Sequence, residues 1–387
     1  MLFESYNQKD ADQMIQQVQD RLDRGKLPEA IFAELRPDEF EEVLSIAKAR
    51  AKSKKTAKDY FMLEDDLRFA TNELVADWRA QRLKCDTLVE VGCGIGIQTI
   101  AFSKTCKKVI AIDIDARKVA YAKANAEKRG ITNVEFIAGD AIKVLPTLKH
   151  ADNVFLDPGR PASEHERNFD TSFSPPLPDF ITIAQKLTKN IAIELPPQMK
   201  DLPAETEREY TSVDGELNRL TIYLGKLVKH EVSVTVLPAR QYIGGSASLQ
   251  FPEKSRALKY LAEIDPAITK AGLLHKIVDK GTYSLQNQIY FDTPDIMTTM
   301  DEPTSPFYKA VYRVVTSSPS MEEIKKPLKR ERVGKLVLHS NVKPEEYWTL
   351  RKKFEEGLEG KRTFHVFQLG KEFILCKKVT KQETAEN

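Results

Sequence analysis

The chain has 387 residues, enough for two or three domains, and its 41% hydrophobic and 30% charged content is that of an ordinary globular protein. A formal charge of +2 excludes a chain whose overall charge announces nucleic acid, so that case has to rest on where the charges sit. No run approaches the roughly eighteen apolar residues of a membrane span, Met1 to Asn7 lacks a signal-peptide pattern, and Cys85, Cys93, Cys106 and Cys376 show no metal spacing; a reduced, cytoplasmic protein with neither membrane nor metal partner is expected.

Residues 1–84 read as helical. Gln8 to Arg24 is one polar helix, and Pro28 suits the first turn of a second. Phe32, Leu35, Phe40, Val43, Leu44 and Ile46 follow at helical spacing. A basic run comes next, at Lys48, Arg50, Lys52, Lys54, Lys55 and Lys58; it is a solvated helix face or a phosphate-contacting surface. Tyr60 to Trp78 reads as another amphipathic helix, with Phe61, Leu67, Phe69, Leu74 and Trp78 apolar.

Thr87-Leu-Val-Glu-Val-Gly-Cys-Gly-Ile-Gly-Ile-Gln-Thr99 is an apolar run ending in Glu90, a turn carrying Gly92, Gly94 and Gly96, and the start of a helix. Such a run reads as a buried parallel strand. Ligands sit beyond the carboxyl ends of parallel strands, and glycine lets backbone approach them closely. The Glu-x-Gly-x-Gly-x-Gly spacing differs from the Gly-x-Gly-x-x-Gly of dinucleotide sites, which disfavours a dehydrogenase. It suits a ligand with a ribose and an amino-acid tail but no phosphate, which is S-adenosylmethionine.

Three further strand ends keep the same register. Val109–Ile112 ends in Asp113, placed to take ribose hydroxyls. Val134–Ala138 ends in Gly139-Asp140-Ala141, where a carboxylate accepts from the adenine amine. Asn153–Leu156 ends in Asp157-Pro158-Gly159-Arg160. Ala116 to Arg129 is the helix after the second strand, stopped at Gly130. Pro161 to Pro178 is long for a connection and reads as a substrate-side loop. A helix at Asp179–Leu187 leads to a fifth strand, Ile191–Glu194. The alternations Leu220–Leu224 and Val232–Val236 read as the final antiparallel pair, and Gly244–Phe251 as a last extended piece.

The four motifs in order resemble the class I S-adenosylmethionine-dependent methyltransferases over residues 85–251. That resemblance implies an α/β, Rossmann-like core of seven strands, with Glu90, Gly92, Gly94, Gly96, Asp113, Asp140 and Ala141 on the cofactor. Asp157-Pro158-Gly159-Arg160 resembles the Asp-Pro-Pro-Tyr/Phe and Asp-Pro-x-Arg loops of nucleic-acid methyltransferases. In the amino-group enzymes the Asp and the proline carbonyl bind the target amine and an aromatic stacks on the base. Arg160 stands here in place of that aromatic, able to stack on a base or grip phosphate. Asp157, Pro158 and Arg160 are therefore the expected catalytic residues.

Residues 252–310 read as a connector, or ferredoxin-like segment, in which Asp265 caps a helix that starts at Pro266. The string Glu263-Ile-Asp-Pro-Ala-Ile-Thr-Lys-Ala-Gly272 resembles the segment after the core in THUMP-like-domain methyltransferases. Residues 311–387 alternate strand and helix: strands Val311–Val315 and Lys335–His339, helices Met321–Lys326 and Pro344–Leu358, and a hairpin of Arg362–Gln368 with Glu372–Lys378. This is the expected C-terminal α+β THUMP-like domain. Lys325, Lys326, Lys329, Arg330 and Arg332 cluster there, and the resemblance implies RNA docking, with tRNA or rRNA as partner. A methyltransferase of protein or small molecules, and a non-catalytic RNA-binding protein of the same fold, are the alternatives. Methylation of pyrimidine carbon-5 commonly needs a cysteine nucleophile. None of the four cysteines is placed for it, so a base nitrogen is the expected acceptor.

Overall fold

The computed structural model describes residues 2–25, 36–54, 56, 58–159, 169–170, 173–248, 257–277, 288–290, 295–340 and 342–379. The expected helix start at Pro28, the loop residue Arg160 and most of Pro161–Pro178 lie outside them. The chain divides into two compact units, Met1–Glu209 with Arg219–Glu231, and Tyr210–Asn218 with Val232–Asn387. The division expected at 84/85, 251/252 and 310/311 is finer than these two units.

The first unit begins with helices α1 (Leu2–Ser5), α2 (Gln8–Asp23), α3 (Pro37–Lys52) and α4 (Glu73–Arg82). Strand and helix then alternate: β1 (Thr87–Val91), α5 (Ile97–Ser103), β2 (Lys108–Asp113), α6 (Ala116–Glu127), β3 (Val134–Ala138), α7 (Ala141–Val144), β4 (Asn153–Leu156), α8 (Leu177–Ala184) and β5 (Ile191–Leu195). The hairpin β6 (Glu207–Val213) and β7 (Glu216–Tyr223) follows, its turn assigned to the second unit, which also contains β8 (Val232–Leu237) and β9 (Gln241–Gly245). The strands hydrogen-bond in the order β3-β2-β1-β4-β5-β7-β6-β8-β9. The first five are parallel and β7 is antiparallel to β5. Leu88, Val89, Val109–Ile112 and Val154–Leu156 are buried, as expected where helices cover both faces of a parallel sheet. The order reverses between β1 and β4, and this switch point opens the ligand crevice.

Three expectations need correction. Tyr60–Trp78 is not one helix: residues 60–72 run irregularly through a 3-10 turn, Asp65–Arg68, before α4 starts. Buried Asn125 on α6 bonds both the Phe61 N–H (2.8 Å) and the Phe61 carbonyl (3.0 Å), and Arg50 bonds the Tyr60 carbonyl at 3.0 Å. These bonds satisfy the Tyr60–Phe61 backbone groups without a helix, and Asn72 caps α4 by accepting from Leu74 N–H. The final antiparallel pair is not Leu220–Leu224 with Val232–Val236, because β6 stands between β7 and β8. Buried Glu207 and Glu209 disguise β6 in the sequence; Arg82 pairs with both, at 2.6 and 3.0 Å. Arg50, read as part of a basic surface, is 2% exposed and pairs with Asp12 at 2.7 Å.

The second unit adds β10 (Tyr260–Ile264), α9 (Pro266–Ala271), α10 (Leu274–Ile277), β11 (Gln288–Tyr290), β12 (Ile296–Thr299), β13 (Tyr308–Ser318), α11 (Met321–Arg330), β14 (Val333–His339), α12 (Pro344–Glu355), β15 (Arg362–Leu369) and β16 (Glu372–Lys378). Its seven-stranded sheet runs β11-β12-β10-β13-β16-β15-β14, so the segment read as a connector supplies three of the strands. Ile324 and Leu328 of α11 and Phe354 of α12 share one apolar cluster with Leu336, Phe364, Val366 and Leu375. Asp265 caps α9, accepting from Ala267 N–H at 2.9 Å and from the Ser212 hydroxyl at 2.7 Å. Among the described residues no helix is long and apolar enough to cross a membrane.

Candidate functional site

A cavity of about 730 Å³ opens at the carboxyl edge of the parallel strands, within the roughly 300–1,000 Å³ typical of small-molecule sites. Glu90, Gly92, Gly94, Asp113, Asp140, Ala141, Asp157 and Pro158 all line it. Gly96 does not; it stands at the N-terminus of α5, the helix that follows the turn. Among the described residues no group of three or more His, Cys, Asp or Glu side chains is placed to hold a metal ion.

The turn is shaped by close backbone approach. At Gly92 (φ +78°) an added Cβ would lie 2.1 Å from the Asp157 carbonyl oxygen, so a side chain there would push the β1 and β4 ends apart. Gly92 N–H donates to the Ile112 carbonyl at 2.8 Å, which ties the turn to β2. At Gly94 (φ +54°) an added Cβ would meet nothing within 4 Å, and the Gly94 N–H donates to Asp113 at 2.8 Å. The other Asp113 oxygen accepts from Asp115 N–H at 2.9 Å. Each carboxylate oxygen keeps a second lone pair, which a ribose hydroxyl can use. Asp140 accepts from Ile142 N–H at 3.0 Å and caps α7.

Glu90 is buried and accepts from the Thr99 hydroxyl at 2.6 Å. Burial pushes its carboxyl up to about 8, and nearby Asp157 and Asp113 add to the effect, so it is mostly protonated at neutral pH. Asp157 follows β4 directly, its N–H donating to the Val91 carbonyl at 2.9 Å, and Gly159 exchanges two 3.0 Å backbone bonds with Ser174. At the β5–β7 side Glu194 receives Arg79 at 2.5 Å and Arg219 at 2.7 Å, and Arg219 lines the cavity.

Ser174, Pro175 and Pro176, from the stretch read as a substrate-side loop, line the same cavity. Sequence reasoning missed one wall, formed by Asp66, Arg68, Phe69, Ala70 and Thr71. The available signal was Asn72, a good N-cap ahead of Glu73, which marks a fresh helix start and leaves the preceding residues irregular. Of the four cysteines only Cys93 lines the cavity; it is buried in the turn and burial raises its thiol well above the usual value.

The residues fit S-adenosylmethionine. The glycine cradle admits a ligand at backbone distance, Asp113 offers acceptors for a diol, and acids outnumber cations among the charged lining residues, which suits a sulfonium. Residues 84–230 match a family model described as a methyltransferase domain. The chain is 40% identical over 76 residues to an uncharacterized RNA methyltransferase of Nostoc sp., covering 19% of this chain and 16% of that protein. It is 34% identical over 96 residues to the tRNA (uracil(54)-C(5))-methyltransferase of Saccharomyces cerevisiae, covering 24% and 15%. The chain thus spans only about a sixth of the length of these curated relatives. A crystal structure from Porphyromonas gingivalis W83, provisionally described as a methyltransferase, superposes with a TM-score of 0.72 over 97% of this chain and 100% of that one. At 15% identity the likeness is one of fold.

Proposed function

We propose that the protein is an S-adenosylmethionine-dependent methyltransferase that modifies a base nitrogen in structured RNA, tRNA or rRNA. The observation that carries this reading is the convergence of the glycine turn, Asp113 and Asp157-Pro158 on one cavity at the strand-order reversal. The cofactor, when bound, supplies a methyl group on a sulfonium. Glu90, Gly92, Gly94, Asp113, Asp140 and Ala141 hold it, with Gly96 setting the start of α5. Asp157 and the Pro158 carbonyl accept N–H bonds from the target amine and align its nitrogen, and Asp157 receives the displaced proton. Arg160 contacts the base or its phosphate.

A nitrogen acceptor is favoured over pyrimidine carbon-5 because the carbon route commonly begins with thiolate attack. Cys93, the cavity cysteine, is buried in the cofactor turn with its thiol held protonated. The C-terminal unit, read as THUMP-like, docks the RNA through α11, where Lys326, Lys329 and Arg330 are exposed. The test is incubation of purified protein with total tRNA and rRNA and isotope-labelled cofactor, followed by nucleoside mass spectrometry. Label in an N-methylated nucleoside is expected. Label confined to protein or small molecules, or found in 5-methyluridine with a trapped cysteine adduct, overturns the reading.

A further inference from the structure

Arg219 carries a charge that the fold alone does not use. It stands on β7, its side chain 17% exposed, with Nε 2.7 Å from one oxygen of Glu194. The other Glu194 oxygen already takes the buried Arg79. One guanidinium neutralises a carboxylate, so the second leaves a positive charge over, and a largely buried charge without a counterpart is costly. Among the described residues three cations line the cavity, Arg68, Lys118 and Arg219, and only Arg219 comes from the β5–β7 side. The strand register puts it beside the Asp157 loop. Leu156, the last residue of β4, pairs with Ile193, and Leu195, the last of β5, pairs with Leu220. Asp157 and Arg219 therefore each lie one step past paired residues at the same sheet edge, on the two neighbours of β5. Glu194 raises the Arg219 pKa against the effect of burial, and Asp157 adds to the rise, so two carboxylates act on one guanidinium. Nε meets Glu194, and the guanidinium has further donors on its Nη atoms.

We infer that Arg219 donates to a carbonyl oxygen of the target base, next to the nitrogen that Asp157 engages, and that the methyl acceptor is guanine N1. This rests on the proposed methylation of a base nitrogen in RNA. Guanine presents along one edge the O6 acceptor, the N1–H donor and the N2 amine. Arg219, Asp157 and the Pro158 carbonyl supply one donor and two acceptors in the matching sense. Uracil would set its second carbonyl against that of Pro158. When Asp157 takes the N1 proton, the N–H electron pair spreads over N1 and O6, and the negative charge passes from Asp157 to the base. N1 then bonds the methyl carbon while the carbon–sulfur bond breaks, its electron pair going to sulfur. Arg219 faces Asp157 before the proton moves and O6 afterwards, so the charge keeps its counterpart throughout, as in an oxyanion hole. An exocyclic amine develops no oxyanion and gives this guanidinium nothing to stabilise.

The test is methylation of RNA from a strain lacking the protein, with isotope-labelled cofactor, by wild type, R219M and R219K, the labelled nucleosides being identified by mass spectrometry. Label in 1-methylguanosine is expected from wild type. R219M leaves Glu194 paired with Arg79, so the fold is kept. It is expected to lower kcat about a hundredfold or more, the scale of one oxyanion donor, with the KM for RNA and the calorimetric affinity for S-adenosylhomocysteine within about threefold of wild type. R219K keeps the charge without the planar fork and should recover part of the rate. Wild-type label in N2-methylguanosine, N6-methyladenosine or 3-methyluridine overturns this inference and leaves the proposed nitrogen methylation standing, whereas label in no RNA nitrogen overturns both. An R219M variant with wild-type kcat, or one that loses S-adenosylhomocysteine affinity and so assigns Arg219 to the cofactor, also overturns it.

Discussion

Glu194 is the most exacting electrostatic position in the first unit. It is 2% exposed and receives two guanidinium groups, Arg79 at 2.5 Å on one oxygen and Arg219 at 2.7 Å on the other. E194Q keeps the volume and removes the charge. Arg79, itself 2% exposed, would then retain Gln98 at 2.7 Å and Thr221 at 3.3 Å, both neutral. Removing one partner of a buried pair costs about 3–5 kcal/mol. The side chain of Arg219 is 17% exposed and borders the cavity, so water relieves part of its loss and the lower end, about 3 kcal/mol, is expected. In a unit of this size that corresponds to about 6–12 °C in melting temperature. Urea unfolding followed by circular dichroism, with calorimetric melting alongside, measures both. Replacing Arg79 and Glu194 together by apolar residues of similar size (R79M/E194M) should cost less than E194Q, because the deeply buried Arg79 charge is then gone and only Arg219, which water partly reaches, lacks its counterpart. An E194Q loss under about 1 kcal/mol, or a double variant less stable than E194Q, would refute the account.

G94R is expected to abolish S-adenosylhomocysteine binding, since Gly94 lines the cavity and an added Cβ there meets no protein atom within 4 Å, leaving ligand space to be filled, while D113A should weaken it through lost ribose contacts; titration calorimetry decides both. The raised Glu90 pKa makes stability pH-dependent: the folded form holds a proton between about 4.5 and about 8 that the unfolded form has lost, so the contribution is full below 4.5 and disappears as pH rises through 8. E90Q should flatten that slope in denaturation series at pH 5 and pH 8, and a wild-type slope no steeper than that of E90Q would contradict the burial effect. K326E/K329E/R330E should weaken RNA binding and lower the salt slope by about two to three, at about 0.7–0.9 per lost contact, and an unchanged slope would remove α11 from the interface. Replacing all four cysteines by serine should leave substantial methylation activity, whereas D157A should lose about a hundredfold or more; the reverse pattern in initial-rate assays would implicate a thiol nucleophile.

The parallel half of the first sheet was legible because both its faces are buried. Val109–Ile112, Val154–Leu156 and Ile191–Ile193 are uninterrupted apolar runs, each followed directly by an acid, and the structure puts the carboxyl ends of the first two on one cavity. β6 was not legible because hydropathy patterning assumes charges face water. Glu207 and Glu209 are buried only because Arg82 reaches them from α4, and Trp78 and Tyr223 also donate to Glu209, at 2.8 and 2.6 Å. Residues 60–72 failed for a related reason. Their apolar spacing fits a helix, but Asn125 lies far along the chain and takes the Phe61 backbone groups for itself. Local periodicity carries no record of a side chain sixty-four residues away.

The same long-range ties explain why the N-terminal region cannot be an independent module. Its helices contribute Leu2, Ala11, Ile15, Val43 and Ile46 to the apolar cluster that also holds Leu88, Phe102, Tyr121 and Phe155 of the strand-and-helix core. Asp59 pairs with Arg129 at 2.7 Å, and Asp66, the first residue of the cavity wall, with Arg117 at 3.0 Å, so two ion pairs to α6 and its C-terminal end anchor the chain as it enters the wall. The wall residues 66–71 thus run between the Asp66–Arg117 ion pair and the Asn72 cap of α4. Fixing the start of the wall on α6 lowers the entropy that ligand binding has to meet in ordering it. Charge-neutral D66N loosens that anchor while leaving Phe69 itself intact. Its loss of S-adenosylhomocysteine affinity should consequently appear as a more unfavourable binding entropy, whereas F69A, which removes contact surface, should appear in a less negative heat-capacity change.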